Sequence, residues 1–400
     1  MLIAPRVIRG NRGDMLSRYG ILSALQQNGA RPIHVVCARS QDIQGLPYRT
    51  SPYGRLHNLL PTPSGWRALR QGDAVLWTAG LDLQDDSSLT KLAFIYVLFS
   101  QYRLLGLPIW VLAQGAGPLR TRWGRSLTRA IMQHVEGFYA RDPGTFALLR
   151  EISPGGRLAL GHDGIFLGRI EPCLTHEAQA QLELLLGPRD GRPVIGLNIR
   201  QWYHFSSRLL PYKLAKKSYQ ARAEACMQTF LAAAVELAAE LRRRHDARLV
   251  LISAYEPGVE PWEDDLPWLQ RVKARFLTDD DVVVLADPLP LLAFCALLQR
   301  CDLMIGTRLH SALTALRMGT PALNISYTLK GRDIYQHLDL QDWMVDLNDF
   351  VRDTGLVAEK AAAILEHLPE AGQRVCGLIR AVVAQNEAGL RAFLPEDLFS

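Results

Sequence analysis

Three cationic side chains, Arg308, His310 and Lys330, fall within one stretch, CDLMIGTRLHSALTALRMGTPALNISYTLK, residues 301–330. Arginine and lysine hold anions, and a histidine that titrates near neutrality can carry a proton to or from a reacting atom. The spacing says how they are placed. An apolar strand over 303–305 runs into Gly306, and a helix follows over about 311–318. Gly319 ends that helix, Pro321 comes next, and a second apolar strand covers 322–325. Arg308 and His310 therefore flank a helix entrance, where free backbone N–H groups and the positive end of the macrodipole favour an anion. Lys330 follows the carboxyl end of the next strand, the edge at which open α/β sheets bind ligands. Three donors aimed at one anionic pocket is the functional reading. Its rival is an arginine facing solvent beside a histidine satisfied in a first helical turn, and residue types alone do not separate the two.

The elements that must position these groups repeat a strand–loop–helix rhythm over the first 165 or so residues, the pattern of a parallel sheet covered by helices. Strands are predicted over 2–8, 32–37, 74–77, 109–113 and 138–140. Helices are predicted from about Asp14 to Gln27, over 88–105 and over 144–150. After the first strand comes Gly-Asn-Arg-Gly-Asp (10–14), a turn in which Asp14 can cap the helix. Gln114-Gly115-Ala116-Gly117-Pro118-Leu119 is read as a glycine-rich turn exposing N–H donors at the sheet's carboxyl edge. Arg141 stands where the 138–140 strand ends, with a ligand role or a pairing to Asp142 or another carboxylate as the two readings.

An acid- and Gln-rich helix and then Gly-Pro-Arg-Asp-Gly-Arg-Pro precede a fresh strand at 194–198, which marks a boundary between two domains. The second run has a helix over 227–245, a strand over 249–254, a helix to about 276, a strand over 282–285, a helix over 289–300 and then the central stretch. Residues from 356 on look helical. The expected organisation is an N-terminal domain over 1–170, a linker over 171–192, a C-terminal domain over 193–355, and C-terminal helices over 356–400 packing back across both. Residues 200–222 are read as a loop rich in aromatic and basic side chains, suited to an anionic glycan or lipid-pyrophosphate acceptor or equally to a solvated surface.

Arg-Leu-His opening a helix, Gly-Thr-Pro, an apolar strand and Tyr-x-x-Lys together resemble the polysaccharide pyruvyl transferase family of exopolysaccharide pathways. The resemblance covers most of the chain from Gly10 to about Leu340 and is strongest over 306–330. It implies two Rossmann-like α/β domains with parallel sheets in a GT-B-like arrangement, with a cleft between them. It also implies transfer of a pyruvyl group from phosphoenolpyruvate, the donor substrate, to two hydroxyls of one sugar, giving a ketal. The acceptor would be a lipid-linked oligosaccharide or other glycan precursor, and no further cofactor or metal is called for.

On that resemblance Asn11, Gly13 and Asp14 lie beside the active cleft, Gly115 and Gly117 form a second wall, and Arg141 and Asp163 line it. His310 would transfer the proton, Arg308 and Arg141 would bind anion, Lys330 would stabilise phosphate, and Asp14 or Asp163 would be the base. Thr307 and Asn324 complete the substrate-binding set. The family's usual double glycine is Ala79-Gly80 here, a mild departure. Two other functions fit the same fold: a glycosyltransferase using a nucleotide sugar, and a non-catalytic glycan-assembly subunit.

Composition bounds the rest. Charged residues make up 21% and apolar ones 48%, a globular balance. The net charge of +5 permits an anionic substrate or membrane surface, and no nucleic-acid-binding motif is present. Six scattered cysteines with no C-x-x-C pair point away from a disulfide framework and toward a reducing cytoplasm. The first ten residues lack a signal-peptide core, and the apolar run 92–99 falls far short of the ~20 residues a membrane span needs. A soluble cytoplasmic chain, compatible with resting on the inner face of the plasma membrane, is expected. The sequence leaves the acceptor sugar and the oligomeric state open.

Overall fold

The computed structural model describes residues 1–5, 10–36, 48–51, 62–78, 80–85, 89–187, 190–201, 212–257, 259 and 263–399, with side chains described at all of these except 51, 212–223 and 329. The first sheet collects β1 (Leu2–Ala4), β2 (Ile33–Val36), β3 (Arg49–Ser51), β4 (Ala74–Thr78), β5 (Leu81–Leu83), β6 (Ile109–Ala116), β7 (Val135–Ala140) and β8 (Leu158–Leu160). Every pairing is parallel, in the order β3-β2-β1-β4-β6-β7-β8, with β5 joined to the end of β6. Between the strands run α1 (Arg12–Gln27), α2 (Pro63–Arg70), α3 (Leu89–Leu104), α4 (Arg122–Met132) and α5 (Pro143–Ile152). Strands buried on both faces need uninterrupted apolar runs, and β4 and β6 are buried at every residue.

The second sheet is β9 (Val194–Asn198), β10 (Arg248–Leu251), β11 (Val282–Val284), β12 (Leu303–Gly306), β13 (Ala322–Ser326) and β14 (Met344–Asp346). Its parallel order, β11-β10-β9-β12-β13-β14, is the 3-2-1-4-5-6 order of a doubly wound fold. The helices of this half are α6 (His176–Leu186), α7 (Tyr212–His245), α8 (Leu266–Lys273), α9 (Leu291–Gln299), α10 (Leu309–Arg317), α11 (Leu329–His337), α12 (Leu347–Arg352), α13 (Gly355–Glu366) and α14 (Leu368–Phe393). The fold is therefore two parallel-sheet α/β domains.

Several expected boundaries move, each for a local reason. The strand predicted to end at residue 113 continues to Ala116. Ala113 takes a left-handed φ of 49°, a bulge where the β6–β7 register shifts, and the strand resumes to pair with β5. The glycine-rich turn thus begins only at Gly117, with Gly115 inside the strand. The loop expected over 200–222 is helix from Tyr212 onward, and its residues 202–211 lie outside the described chain. The cap of α1 is Asn11 rather than Asp14: the Asn11 amide oxygen accepts from the Gly13 and Asp14 N–H groups at 3.1 and 3.4 Å. The expected elements include neither β5 nor α4, although Trp123, Leu127, Ala130 and Ile131 in RWGRSLTRAIM do carry the spacing of a helical stripe.

The helix α1 is wedged between the halves, and every residue from Arg12 to Leu25 except Asp14 is buried. The chain before it is stitched to the second half: Asn11 pairs with Tyr255 in an antiparallel bridge, and the Arg12 N–H donates to Ala254 O at 3.1 Å. At the other end of the chain, α14 returns to the first sheet and inserts Asn386. Its amide oxygen accepts from Tyr139 OH (2.9 Å) and the His162 N–H (2.9 Å), while its Nδ2 donates to the carbonyls of Asp163 (3.2 Å) and Phe166 (3.3 Å). Both ends of this buried amide are saturated. Truncating it leaves the His162 N–H and the Phe166 carbonyl without this partner, while Tyr139 OH keeps the backbone Asn386 O and Asp163 O keeps the Phe166 N–H. Asn386→Ala is expected to lose about 3 kcal/mol of stability, read as a lower urea midpoint with an unchanged m-value.

Candidate active site

The two halves meet tip to tip. Gly13, in the first turn of α1, lies against His310 in the first turn of α10. A Cβ added at Gly13 would sit 1.9 Å from the His310 Cβ, so only glycine admits the contact. The opposite end of α10 is tied down as well, with the Arg317 guanidinium donating to Ile165 O (3.1 Å) and Gly168 O (2.6 Å).

This seating places the His310 imidazole between two carboxylates of the first domain. Nε2 is 3.2 Å from Asp163 Oδ2, and Nδ1 is 3.8 Å from Asp14 Oδ1. The two acids differ in setting. Asp163 is fully buried and takes hydrogen bonds from Ser17 Oγ, the Ile165 N–H (3.1 Å) and Arg141 Nη1 (3.1 Å) besides its contact with His310. Burial by itself would raise its pKa, but His310, Arg141 and Ser17 reverse that and hold the carboxyl well below the usual range. With its lone pairs committed, Asp163 orients His310 and Arg141 and has no capacity left to take a substrate proton. Asp14 keeps a quarter of its side chain exposed and is fixed by Asn11 Nδ2 at 2.9 Å.

Arg141 is the buried cation of this cluster. Its side chain is buried, Nη1 is held by Asp163, and among the described residues its Nε has no hydrogen-bond partner, the Asp142 carboxylate being 3.7 Å away. Gly115 makes room for it, since a Cβ there would stand 2.9 Å from that Nε. Asp142 is committed elsewhere, capping α5 through the Thr145 N–H at 2.7 Å. The helix α11, with Lys330 in its first turn, packs on the start of α5. Its Asp333 lies so close to Gly144 that a Cβ there would be 2.8 Å from Oδ2. Burial and then Asp142 push the Asp333 carboxyl up, with Arg332 and Lys330 partly opposing them.

The structure thus gathers His310, Asp14, Asp163 and Arg141, with Asn11, Gly13 and Gly115 as their supports, Gly117 opening the turn after β6, and Lys330 on the helix that docks beside Arg141. Arg308 is elsewhere, which corrects the expectation of three cations converging at the α10 entrance. As the N-cap residue of α10 it sends its guanidinium back into the second domain. Nε lies 2.7 Å from Asp265, Nη2 bonds Glu263 O, and the group stacks over Tyr255 at 5.1 Å. Burial alone would lower its pKa; the two carboxylates outweigh that and push it up. A guanidinium so engaged braces the strand ends. Thr307 bonds Asn198 O, and Asn324 Nδ2 donates to Gly306 O at 2.9 Å, so both are interior supports of the same edge. Sequence reasoning misses Ser17, Asp265 and Glu263. Ser17 lies one turn beyond Asp14, a spacing that signals it, whereas nothing in the acidic stretch 256–265 marks which carboxylates turn inward.

Two parallel-sheet α/β domains meeting at a seam have a GT-B-type architecture. Solved structures agree on the fold. A UDP-N-acetylglucosamine 2-epimerase superposes with a TM-score of 0.56 at 13% identity, covering 100% of this chain and 95% of that one. The UDP-GlcNAc 2-epimerase of Neisseria meningitidis gives 0.54 at 11% identity, covering 96% and 99%. The sucrose-phosphate synthase of Thermosynechococcus elongatus gives 0.53 at 14%, with 98% of each chain covered. The family model described as polysaccharide pyruvyl transferase matches residues 11–328, and the chain belongs to that family of transferases. A stretch of 79 residues is 35% identical to the amylovoran biosynthesis protein AmsJ of Erwinia amylovora, spanning 20% of this chain and 19% of that protein. Among the described residues no helix is long and apolar enough to cross a membrane.

Two outcomes are expected from the packing. Gly13→Ala forces the domain tips apart, and should lower the melting temperature and abolish activity together, read by calorimetry and turnover. Asp163 ionises below its unfolded value of about 4, so its contribution to stability is whole above that pH and is lost as acid protonates it. Urea midpoints taken from neutral pH down to pH 3 should fall for the wild type. Asp163→Asn should start lower and change less.

Proposed function

We propose that the chain transfers a pyruvyl group from phosphoenolpyruvate to two hydroxyls of a sugar in an exopolysaccharide precursor, releasing inorganic phosphate and leaving a carboxylated ketal. The observation that carries this reading is the His310 imidazole, braced by a buried ionised carboxylate on Nε2 and facing the more exposed Asp14 through Nδ1. It stands beside a buried arginine whose Nε, among the described residues, has no hydrogen-bond partner. With Nε2–H directed at Asp163, the Nδ1 proton of imidazolium is the one available for transfer.

In this reading Arg141, Lys330 and the positive end of the α10 dipole hold the carboxylate and phosphate of the enol ester. Protonated His310 delivers its Nδ1 proton to the methylene carbon, which becomes the methyl group, and positive charge develops at the carbon bearing the phosphate. The first sugar hydroxyl adds there and Asp14 takes its proton. The carbon–oxygen bond to phosphate then breaks, the second hydroxyl adds, and its proton leaves with phosphate or returns to His310. One enol ester and one diol give one ketal and one phosphate.

Titration calorimetry with phosphoenolpyruvate should give saturable binding that uridine diphosphate sugars do not reproduce. His310→Gln is expected to keep that binding and lose about 10²–10⁴ in kcat. Arg141→Gln should weaken binding by about tenfold to a hundredfold, the value of a charged hydrogen bond. Wild-type turnover in His310→Gln, measured as phosphate release with a lipid-linked glycan acceptor, would refute the acid role.

A further inference from the structure

The outer layer of the first domain carries a surface that neither the fold nor the seam explains. The helices α2, α3 and α4 lie on the face of the first sheet away from α1, with their inner residues packed in one apolar cluster. Their outer side is not conventionally polar. Trp123 on α4 is 75% exposed, Val97 and Tyr96 on α3 are 49% and 36% exposed, and Leu104 at the end of α3 is 89% exposed. The two helices pack side by side, and just past the end of α4 Ser100 Oγ is 3.1 Å from His134 Nε2, with the Tyr96 and His134 rings 5.4 Å apart.

Among the described residues, the charge around Trp123 that no carboxylate answers is positive. The helix α4 contains Arg122, Arg125 and Arg129 and no acid, and Arg120 precedes it. Among the described residues neither Arg120 nor Arg122 has a carboxylate partner for its guanidinium. The acids nearby are already committed. Asp85 is buried under the start of α4, accepting from the Arg120 and Thr121 N–H groups at 2.8 and 2.7 Å. Glu151 pairs with Arg125, and Glu136 pairs with Arg103 at 2.6 Å. Helix stability does not account for the arrangement either, because cations at the amino end of a helix oppose its dipole. An exposed indole among such arginines suits a planar anionic surface, where the ring enters the interfacial layer and the guanidinium groups meet lipid phosphates.

We infer that this face, centred on Trp123, Arg122 and Arg120, is where the protein docks on an anionic lipid bilayer. The placement has a functional logic. Residues 117–121 link the carboxyl end of β6, beside Gly115 and Arg141, to the start of α4, so docking here sets the rim of the domain seam at the bilayer. The inference goes beyond the proposed reaction and does not depend on it, since membrane docking is read without turnover.

The test is flotation of the full chain with vesicles made from equal parts phosphatidylglycerol and phosphatidylcholine, against vesicles of phosphatidylcholine alone. The wild type should float with the anionic vesicles, less so as salt rises. Arg120→Gln with Arg122→Gln should weaken partitioning by about 25-fold, about fivefold per charge. Trp123→Ala should weaken it by about fivefold or more. All three positions are on the surface, so melting temperatures should be unchanged, and phosphoenolpyruvate binding should persist in each variant if the proposed reaction is right. Absence of anionic preference in the wild type would overturn the inference. So would wild-type partitioning in the folded variants, or a result in which Trp123→Ala alters only self-association measured by light scattering.

Discussion

Everything at the seam depends on how near two helix tips can come. Gly13 has no side chain, and the His310 Cβ fills the place where one would be. That contact turns two separately wound sheets into one site, because it delivers a side chain of the second domain to carboxylates of the first. The rest of the interface keeps that approach in place. Asn11 pairs with Tyr255 ahead of α1, Arg12 donates to Leu289 O at 2.7 Å, and Arg317 anchors the far end of α10. Close packing makes such a junction discrete, since a displacement of one methyl group has nowhere to go.

The electrostatics follow from the same geometry. A fully buried carboxylate is costly unless every lone pair is used, and Asp163 spends its own on Ser17, Ile165, Arg141 and His310. One ion therefore fixes an imidazole and a guanidinium at once. Asp14 reaches the same imidazole from the wetter side, so the two ring nitrogens sit in different settings. Arg308 shows the contrasting use of an arginine: with Asp265 and Glu263 holding its fork, it serves the strand ends of the second sheet.

Much of this was legible in the chain. The apolar run 194–198 is β9 to the residue, and Gly319 and Pro321 correctly separate α10 from β13. Arg-Leu-His at a helix entrance pointed to His310 because strand ends in parallel sheets share one edge. What stayed hidden was decided by partners remote in sequence. Arg308 and Asp265 are 43 residues apart, and the local pattern says only that an arginine opens a helix. Asn and Asp cap helices equally well, so Asn11 and Asp14 could not be told apart before their contacts were visible. The bulge at Ala113 is set by how β6 pairs with its neighbouring strands rather than by its own residue.

The Asn386 clasp has a bearing on how the protein is made. Its partner Asp163 lies 223 residues earlier, so on a ribosome adding about 5–20 residues each second the first domain waits roughly 10–45 s for its closing contact. During that interval the surface of the first domain that α14 later covers is bare. Exposed surface of that kind is what makes incompletely folded chains prone to association before they close.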